Sequence, residues 1–474
     1  MTERRGPLAD SYPAAVALVV CALVPFLTLT AALVPLTQLI GKDLGLGKPA
    51  LELTIAMSDA AYAFGTVLAV QFAQHLPARR MLIVYVGAFV VFALLAAWAP
   101  TRGVFIGAFV GEGLCTSLML IAAVPPLVTG FGADKMMWTG AIMNLCIFGA
   151  VAAGPTIGEL EASWKSWRSL FWAVAAVSIV ALLFALLTFE HEDPHDTSAP
   201  WDWIAVALAA IGCAAAFFGA AELESSRSAT TLALAPLVAG IALVVTLVVY
   251  QYRLENALMP VKQLATTLPV FGILIALCAS ASAFGLTDLA LTALAKTSPS
   301  HTALLFLPEF GAALATAALF GALFRTRYTP VLALSGLVLV CVAAAVLSGL
   351  AQGGDLRVLL GAALVGLGVG GSVSPALFIA GFSLKSDQIQ RVFALIELLR
   401  GVGAFLFAPI LLFLVSLASL RAGAWICCGL AAGGTLGAVA LFLINGARLQ
   451  RPDLETWQEG EPAWESPPLR PSES

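Results

Sequence analysis

The chain has 474 residues, of which 60% are apolar and 11% charged, with a formal net charge of −4; a soluble protein carries roughly a quarter charged residues. So few charges cannot make a water-facing surface. Hydrocarbon cannot satisfy backbone polar groups, so the long apolar stretches are expected to be membrane-crossing helices of about 20 residues each. The net charge averages over two membrane faces and points to no nucleic-acid partner, and no cofactor is implied.

Fourteen such stretches are predicted, making the fold all-α and integral to the membrane: 14–40, 53–75, 81–99, 103–128, 137–158, 170–189, 201–221, 232–250, 269–294, 300–323, 331–350, 357–382, 391–418 and 422–446. The first follows Arg4 and Arg5 but is too long for a signal peptide and lacks a small-residue cleavage site, so it is expected to be retained. All eight cysteines fall inside these spans, where they serve as small apolar side chains rather than as a disulfide or zinc framework.

With the N-terminus placed in the cytoplasm, the inner segments hold fourteen basic residues (among them Arg79, Arg80, Lys135, Arg325, Arg327 and Lys385) against nine in the outer loops. The positive-inside rule then puts both termini on the cytoplasmic side of an inner, plasma membrane. Little sequence is left for a soluble domain, and no spacing of a hydrolase, kinase or metalloprotease occurs, so the chain is not expected to be an enzyme. The loop "FEHEDPHD" carries His191 and His195 among four acids; it reads either as a divalent-metal site or as a solvated acidic loop, and no metal site is assigned to it.

Weak internal repetition relates the fourth span, with Val110, Gly111 and Gly113, to the twelfth, with Val365, Gly366 and Gly368. Small residues of this kind let helices approach closely. In that alignment Glu112 corresponds to Leu367. The loops after spans 2 and 10 each carry two basic residues, Arg79 with Arg80 and Arg325 with Arg327. The organisation expected is therefore a first six-helix half at 1–190, an inserted pair at 191–250 introduced by Trp201, Asp202 and Trp203, a second half at 251–446, and a polar, proline-rich, disordered cytoplasmic tail at 447–474. The two indoles suit the interfacial belt.

The fifth span reads "GAVAAGPTIG", with Gly149, Gly154, Pro155 and Gly158, followed by Trp167, Arg168 and Phe171. Its glycines admit a neighbouring backbone and Pro155 releases a carbonyl and permits a bend. This stretch resembles the antiporter motif of the major facilitator superfamily. With the Trp-Asp-Trp entry and "ENALMPVKQLATTLPVFG" before span 9, residues 14–446 are similar to the fourteen-helix drug:proton antiporter family. That resemblance implies a bundle of two six-helix halves with an inserted pair, a hinge at the motif and export of small molecules.

Against the family's loop motif, G-x-L-x-D-R-x-G-R-R, the chain keeps Arg79 and Arg80 but has Gln71 at the first glycine, His75 at the aspartate and Ala78 at the second glycine. The charge relay implied there is weakened or made titratable. The first span carries Phe26 near the family's acid, before Leu33, Val34 and Pro35, and the fourth lacks the family's arginine. Coupling, if it follows protons, has to use other groups.

An ionisable residue in a span costs a few kcal/mol and marks a functional site by default. Glu112 lies about 14 Å into its helix, near the midplane; it reads as a proton carrier or as a permanently protonated packing residue. Glu397 and Arg400, three apart, read as a local ion pair or as a pair between Arg400 and Glu112 that breaks in the cycle. Glu397 also stands six residues before Gly403, a position acidic in some cation-exporting relatives. Asp59 reads as a gate, a substrate contact or a snorkelling side chain, and Asp288 and Glu309 as wetted gate residues or structural acids. Tyr62, Phe64, Phe109 and Phe148 can line a pocket for apolar compounds.

The function expected is export of a small amphipathic or cationic compound by alternating access, coupled to protons through Glu112, Glu397 or Asp59. Besides that substrate and protons, the partner expected is membrane lipid. The alternatives are an uncoupled facilitator or metabolite exporter, favoured by Phe26 and His75, and a sensor or scaffold on the same fold.

Overall fold

The computed structural model describes residues 6–188, 200–350 and 353–469. The loop with His191 and His195 lies outside the described residues. Among them, fourteen helices are long and apolar enough to cross a membrane: α1 (Tyr12–Leu44), α2 (Lys48–His75), α3 (Ala78–Trp98), α4 (Arg102–Thr129), α5 (Met136–Ser163), α6 (Arg168–Leu187), α7 (Trp203–Ser226), α8 (Thr231–Arg253), α9 (Thr267–Leu294), α10 (Pro299–Leu323), α11 (Thr329–Leu347), α12 (Asp355–Phe382), α13 (Ile389–Leu417) and α14 (Leu420–Ile444). A last short helix, α15, spans Leu454–Gln458.

Local chemistry sets many of the ends. Thr101, Asp202, Thr230 and Ser419 each accept the amide hydrogen bond that caps α4, α7, α8 and α14. Prolines open α1, α2, α10 and α11, where an amide donor is not needed.

The helices sort into two units, Met1–Phe131 with Glu161–Met259 and Gly132–Leu160 with Pro260–Ser474. Most of α5 belongs with α9–α14, because it packs along α10 and against α12. The inserted pair α7–α8 belongs with the first unit, where α7 lies against α2.

In the first unit, α4 packs on α1, α2 and α3. The approach to α2 is so close that a Cβ on Gly113 would sit 2.4 Å from the Ser58 carbonyl oxygen, while one on Gly111 would strike the Phe92 ring of α3. In the second unit α12 is central, touching α9, α10 and α11. There it is Gly368 that meets α11 at Gly336 and Val340, and Gly370 that meets α10 at Thr316. By packing partner, Gly111, which faces α3, is matched by Gly368, which faces α11, while Gly113, which faces α2, is matched by both Gly366 and Gly370, which face α10. A run rich in glycine aligns equally well in several registers.

The expected disordered tail is folded over the described residues 447–469. Trp457 is fully buried, its indole Nε1–H donates to the Leu384 carbonyl at 2.9 Å, and its ring lies 4.3 Å from that of Phe382. The Ala463 amide donates to the Phe382 carbonyl, the Thr267 amide to the Pro467 carbonyl, and Lys385 pairs with Glu461. Polar, proline-rich composition concealed this, because two indoles and a few backbone hydrogen bonds suffice to hold a short extended segment to a preformed surface.

Candidate functional site

Each unit carries its own buried ionisable groups. In the first, Glu112 is completely buried, and neither carboxyl oxygen has a hydrogen-bond partner. Its helix packs closely on both sides at Gly111 and Gly113. Nearby in the same unit Phe26 of α1 stacks on Tyr62 of α2 at 6.4 Å and meets Phe109 of α4 at 5.9 Å. Phe109 continues into Phe105, Phe171 and Trp167. The position where the resembled family has an acid is thus filled by a ring that closes an aromatic cluster. Asp59 is half-buried on α2, one residue after Ser58, whose hydroxyl donates to the Phe109 carbonyl at 2.9 Å.

The departures from the loop motif have a structural use. The Gln71 side-chain carbonyl accepts from the Asp202 amide at 2.9 Å, and the Asp202 carboxylate accepts from Gln251 at 2.7 Å and from Tyr250 at 3.3 Å. His75 stacks on Trp201 at 4.2 Å, and Trp201 on Trp203 at 5.1 Å. Gln71 and His75, placed where a glycine and an aspartate stand in the motif, bind the entry of the inserted pair to the end of α2. Trp201 belongs to that stack rather than only to a membrane belt. Arg79 is half-buried and Arg80 exposed.

Another cluster that sequence reading missed joins α1 to α6: Asp43 accepts from Arg168 at 3.0 Å and from the Trp167 indole at 3.2 Å, and Arg168 also donates to the carbonyls of Ala97 and Ala99. The acid–arginine chemistry was visible in the sequence. Its pairing across 125 positions was not.

In the second unit Glu397 and Arg400 are 4% and 2% exposed, and the guanidinium Nε donates to both carboxylate oxygens at 3.1 Å, with Nη2 closing the fork. The guanidinium carbon also lies 5.7 Å from the centre of the Phe148 ring on α5. Arg400 therefore forms the local pair with Glu397. Spacing on one helix turn brings the two groups together at no conformational cost.

Phe148 lies in a π-helical turn, Leu145–Gly149, just ahead of Gly154 and Pro155. The irregularity comes before the proline rather than at it, and Gly149 gives the widened turn room against Leu145. Gly154, Pro155 and Gly158 are buried. At the start of that turn Asn144, 1% exposed, donates to the Gly370 carbonyl at 2.8 Å while its own side-chain oxygen accepts nothing. An asparagine carries no charge signal in a sequence, so it went unremarked. Glu309 of α10 is 5% exposed and accepts from Thr287 at 3.4 Å; Asp288 is half-buried on α9. Arg325 and Arg327 are exposed at the end of α10, Arg327 against Tyr328. No group of three or more metal-ligating side chains occurs among the described residues.

A family model described as Major Facilitator Superfamily matches residues 18–350. The chain belongs to the Major Facilitator Superfamily. It is a multi-pass membrane protein of that superfamily. Its relatives include the Multidrug resistance protein B homolog of Mycobacterium tuberculosis, 25% identical over 69% of this chain and 62% of the relative, and the drug efflux pump JefA of the same organism, 26% identical over 69% and 65%. The MFS-type transporter YubD of Bacillus subtilis is 25% identical over 42% of this chain and 39% of the relative. In each case the match spans less than two thirds of the relative's length. The fold is shared with solved structures at low identity. The human organic anion transporter MFSD10 superposes with a TM-score of 0.63 at 14% identity, covering 90% of this chain and 99% of the other, and a POT family transporter with 0.63 at 13%, covering 91% and 96%.

Proposed function

We propose that this major facilitator protein is a secondary transporter that exports a small amphipathic or cationic compound by alternating access, driven by protons. The observation that carries the coupling is Glu112, a wholly buried carboxyl with no hydrogen-bond partner on a helix that packs closely at its glycines. Such a group is costly in a membrane protein unless it is used. A carboxyl with no competing arginine or hydroxyl is suited to taking up and releasing a proton. The aromatic cluster of Phe26, Tyr62 and Phe109 in the same unit offers the apolar faces that an amphipathic compound needs, and relatives named for drug efflux support the direction of transport. The excess of basic residues in alternate loops supports an inner-membrane location with both termini cytoplasmic.

Glu397 is the weaker carrier, since Arg400 neutralises it in place. An uncoupled facilitator is the second reading, favoured by Phe26 standing where the resembled family has an acid. Proteoliposomes loaded with ethidium and given an imposed pH gradient separate the two. Gradient-dependent efflux that is lost in Glu112→Gln and kept in Glu397→Gln is the expected result; efflux indifferent to the gradient supports the facilitator. Gradient-driven efflux left unchanged by both substitutions rules these residues out as carriers.

A further inference from the structure

The second unit contains a buried site that the reading above does not use. Helices α9, α10, α11 and α12 line a small pocket of about 10 Å³, room for no more than about one water. Its lining is hydrocarbon, from residues such as Leu286, Phe306, Leu347 and Val365, with Thr287 and Glu309 as the two residues that carry polar side chains. Oε1 of Glu309 accepts from Thr287 Oγ1 at 3.4 Å, while Oε2 is buried and has no hydrogen-bond partner. The backbone beneath is fixed, because α10 and α12 touch at Gly366, where a Cβ would come within 2.1 Å of the Glu309 carbonyl oxygen.

The chemistry of the cavity restricts what it can hold. A space of that size is far below the roughly 300–1,000 Å³ usual for sites that take organic ligands. A divalent cation needs about six oxygens, and the lining side chains supply three, two from Glu309 and one from Thr287. A bare carboxylate would be left in hydrocarbon with one weak hydrogen bond, at high cost. A proton on Oε2 removes the charge and leaves a neutral group, which costs far less to bury.

We propose that Glu309 is an exchangeable proton site of the second unit, with Thr287 as the hydroxyl that positions its carboxyl. The inference rests on the proton-coupled reading for its use in transport, but protonation of the site is independent of that reading. The charged side chains on the helices packed around it are Asp288, next to Thr287 on α9, the His301–Asp355 pair at 3.1 Å and Arg357 towards the N-terminal ends of α10 and α12, and Glu159 on α5, which packs along α10. Helix α11 supplies none.

The test uses the purified full chain and the hydrophobic reagent N,N′-dicyclohexylcarbodiimide, which reacts with protonated carboxyls in apolar surroundings, with the modified peptide located by mass spectrometry. Labelling of Glu309 is expected to fall as pH is raised, approaching about tenfold per pH unit above its midpoint, with that midpoint shifted in Thr287→Val and restored in Thr287→Ser. Infrared titration gives a second measure: a carboxylic acid C=O band in the wild-type chain that disappears as pH is raised, assigned by its absence from Glu309→Gln. A Glu309 that stays unlabelled, or a band that persists at every pH, overturns the proposal in favour of a fixed packing acid. Protection by sodium or magnesium at constant pH overturns it in favour of a cation site. If Glu309 titrates while ethidium efflux ignores the pH gradient, the proposed function fails and this inference stands; gradient-driven efflux with a non-titrating Glu309 gives the reverse.

Discussion

At the scale of single residues, the buried Glu397–Arg400 pair is the sharpest case of interdependence. Its two members compensate one another where water is excluded, so removing one leaves an isolated charge. Arg400→Met is expected to cost about 3–5 kcal/mol, read as a lowered unfolding midpoint in detergent, with much of the loss recovered when Glu397→Met is added. A midpoint unchanged by Arg400→Met would show that the pair is not formed. Asp453 offers a pH-dependent counterpart outside the spans. The Thr456 backbone amide donates to its carboxylate and holds it below the usual carboxylate range. Because the folded value is the lower one, this cap is in place above the ordinary aspartate range and is lost as pH falls through the folded value. Acid is therefore expected to loosen the α15 turn, seen as faster proteolysis of the tail, and Asp453→Ala should give that looseness at neutral pH.

At the scale of elements, the docked tail and the irregular α5 depend on contacts that are distant in sequence. Trp457 fills a socket against Phe382 and Leu384, and truncating a buried tryptophan to alanine typically costs about 3–5 kcal/mol. Trp457→Ala is expected to release residues 447–469, measured as protease cleavage after Gly446 with the membrane core intact; a tail equally protected in the variant would refute the docking. The existence and order of the fourteen spans were legible because hydrophobic length alone decides them. The π-turn of α5 was not, since Pro155 drew the expected bend downstream, whereas the widening occurs where Phe148 lies beneath Arg400.

For the molecule as a whole, Asp202 shows how an inserted element becomes part of one unit. Its carboxylate caps α7 and accepts from Gln251 and Tyr250 of α8, while its amide donates to Gln71 of α2. Asp202→Ala is expected to loosen α7 from both neighbours, lowering the unfolding midpoint and exposing Cys213, which is fully buried on α7, to a membrane-permeant maleimide. Unchanged labelling would mean that apolar packing alone holds the pair. The sequence by itself determined the membrane class, the number of spans and which ionisable residues fall within them, since each follows from local composition against the cost of placing charge and backbone in hydrocarbon. Tertiary structure alone decided the rest: that Glu112 and Glu309 keep unpartnered oxygens, that Asp43 pairs with Arg168, and that α5 joins α9–α14. Those outcomes depend on which neighbour a side chain meets across tens to hundreds of positions, and glycine-rich helices with uniform hydropathy leave that choice to packing.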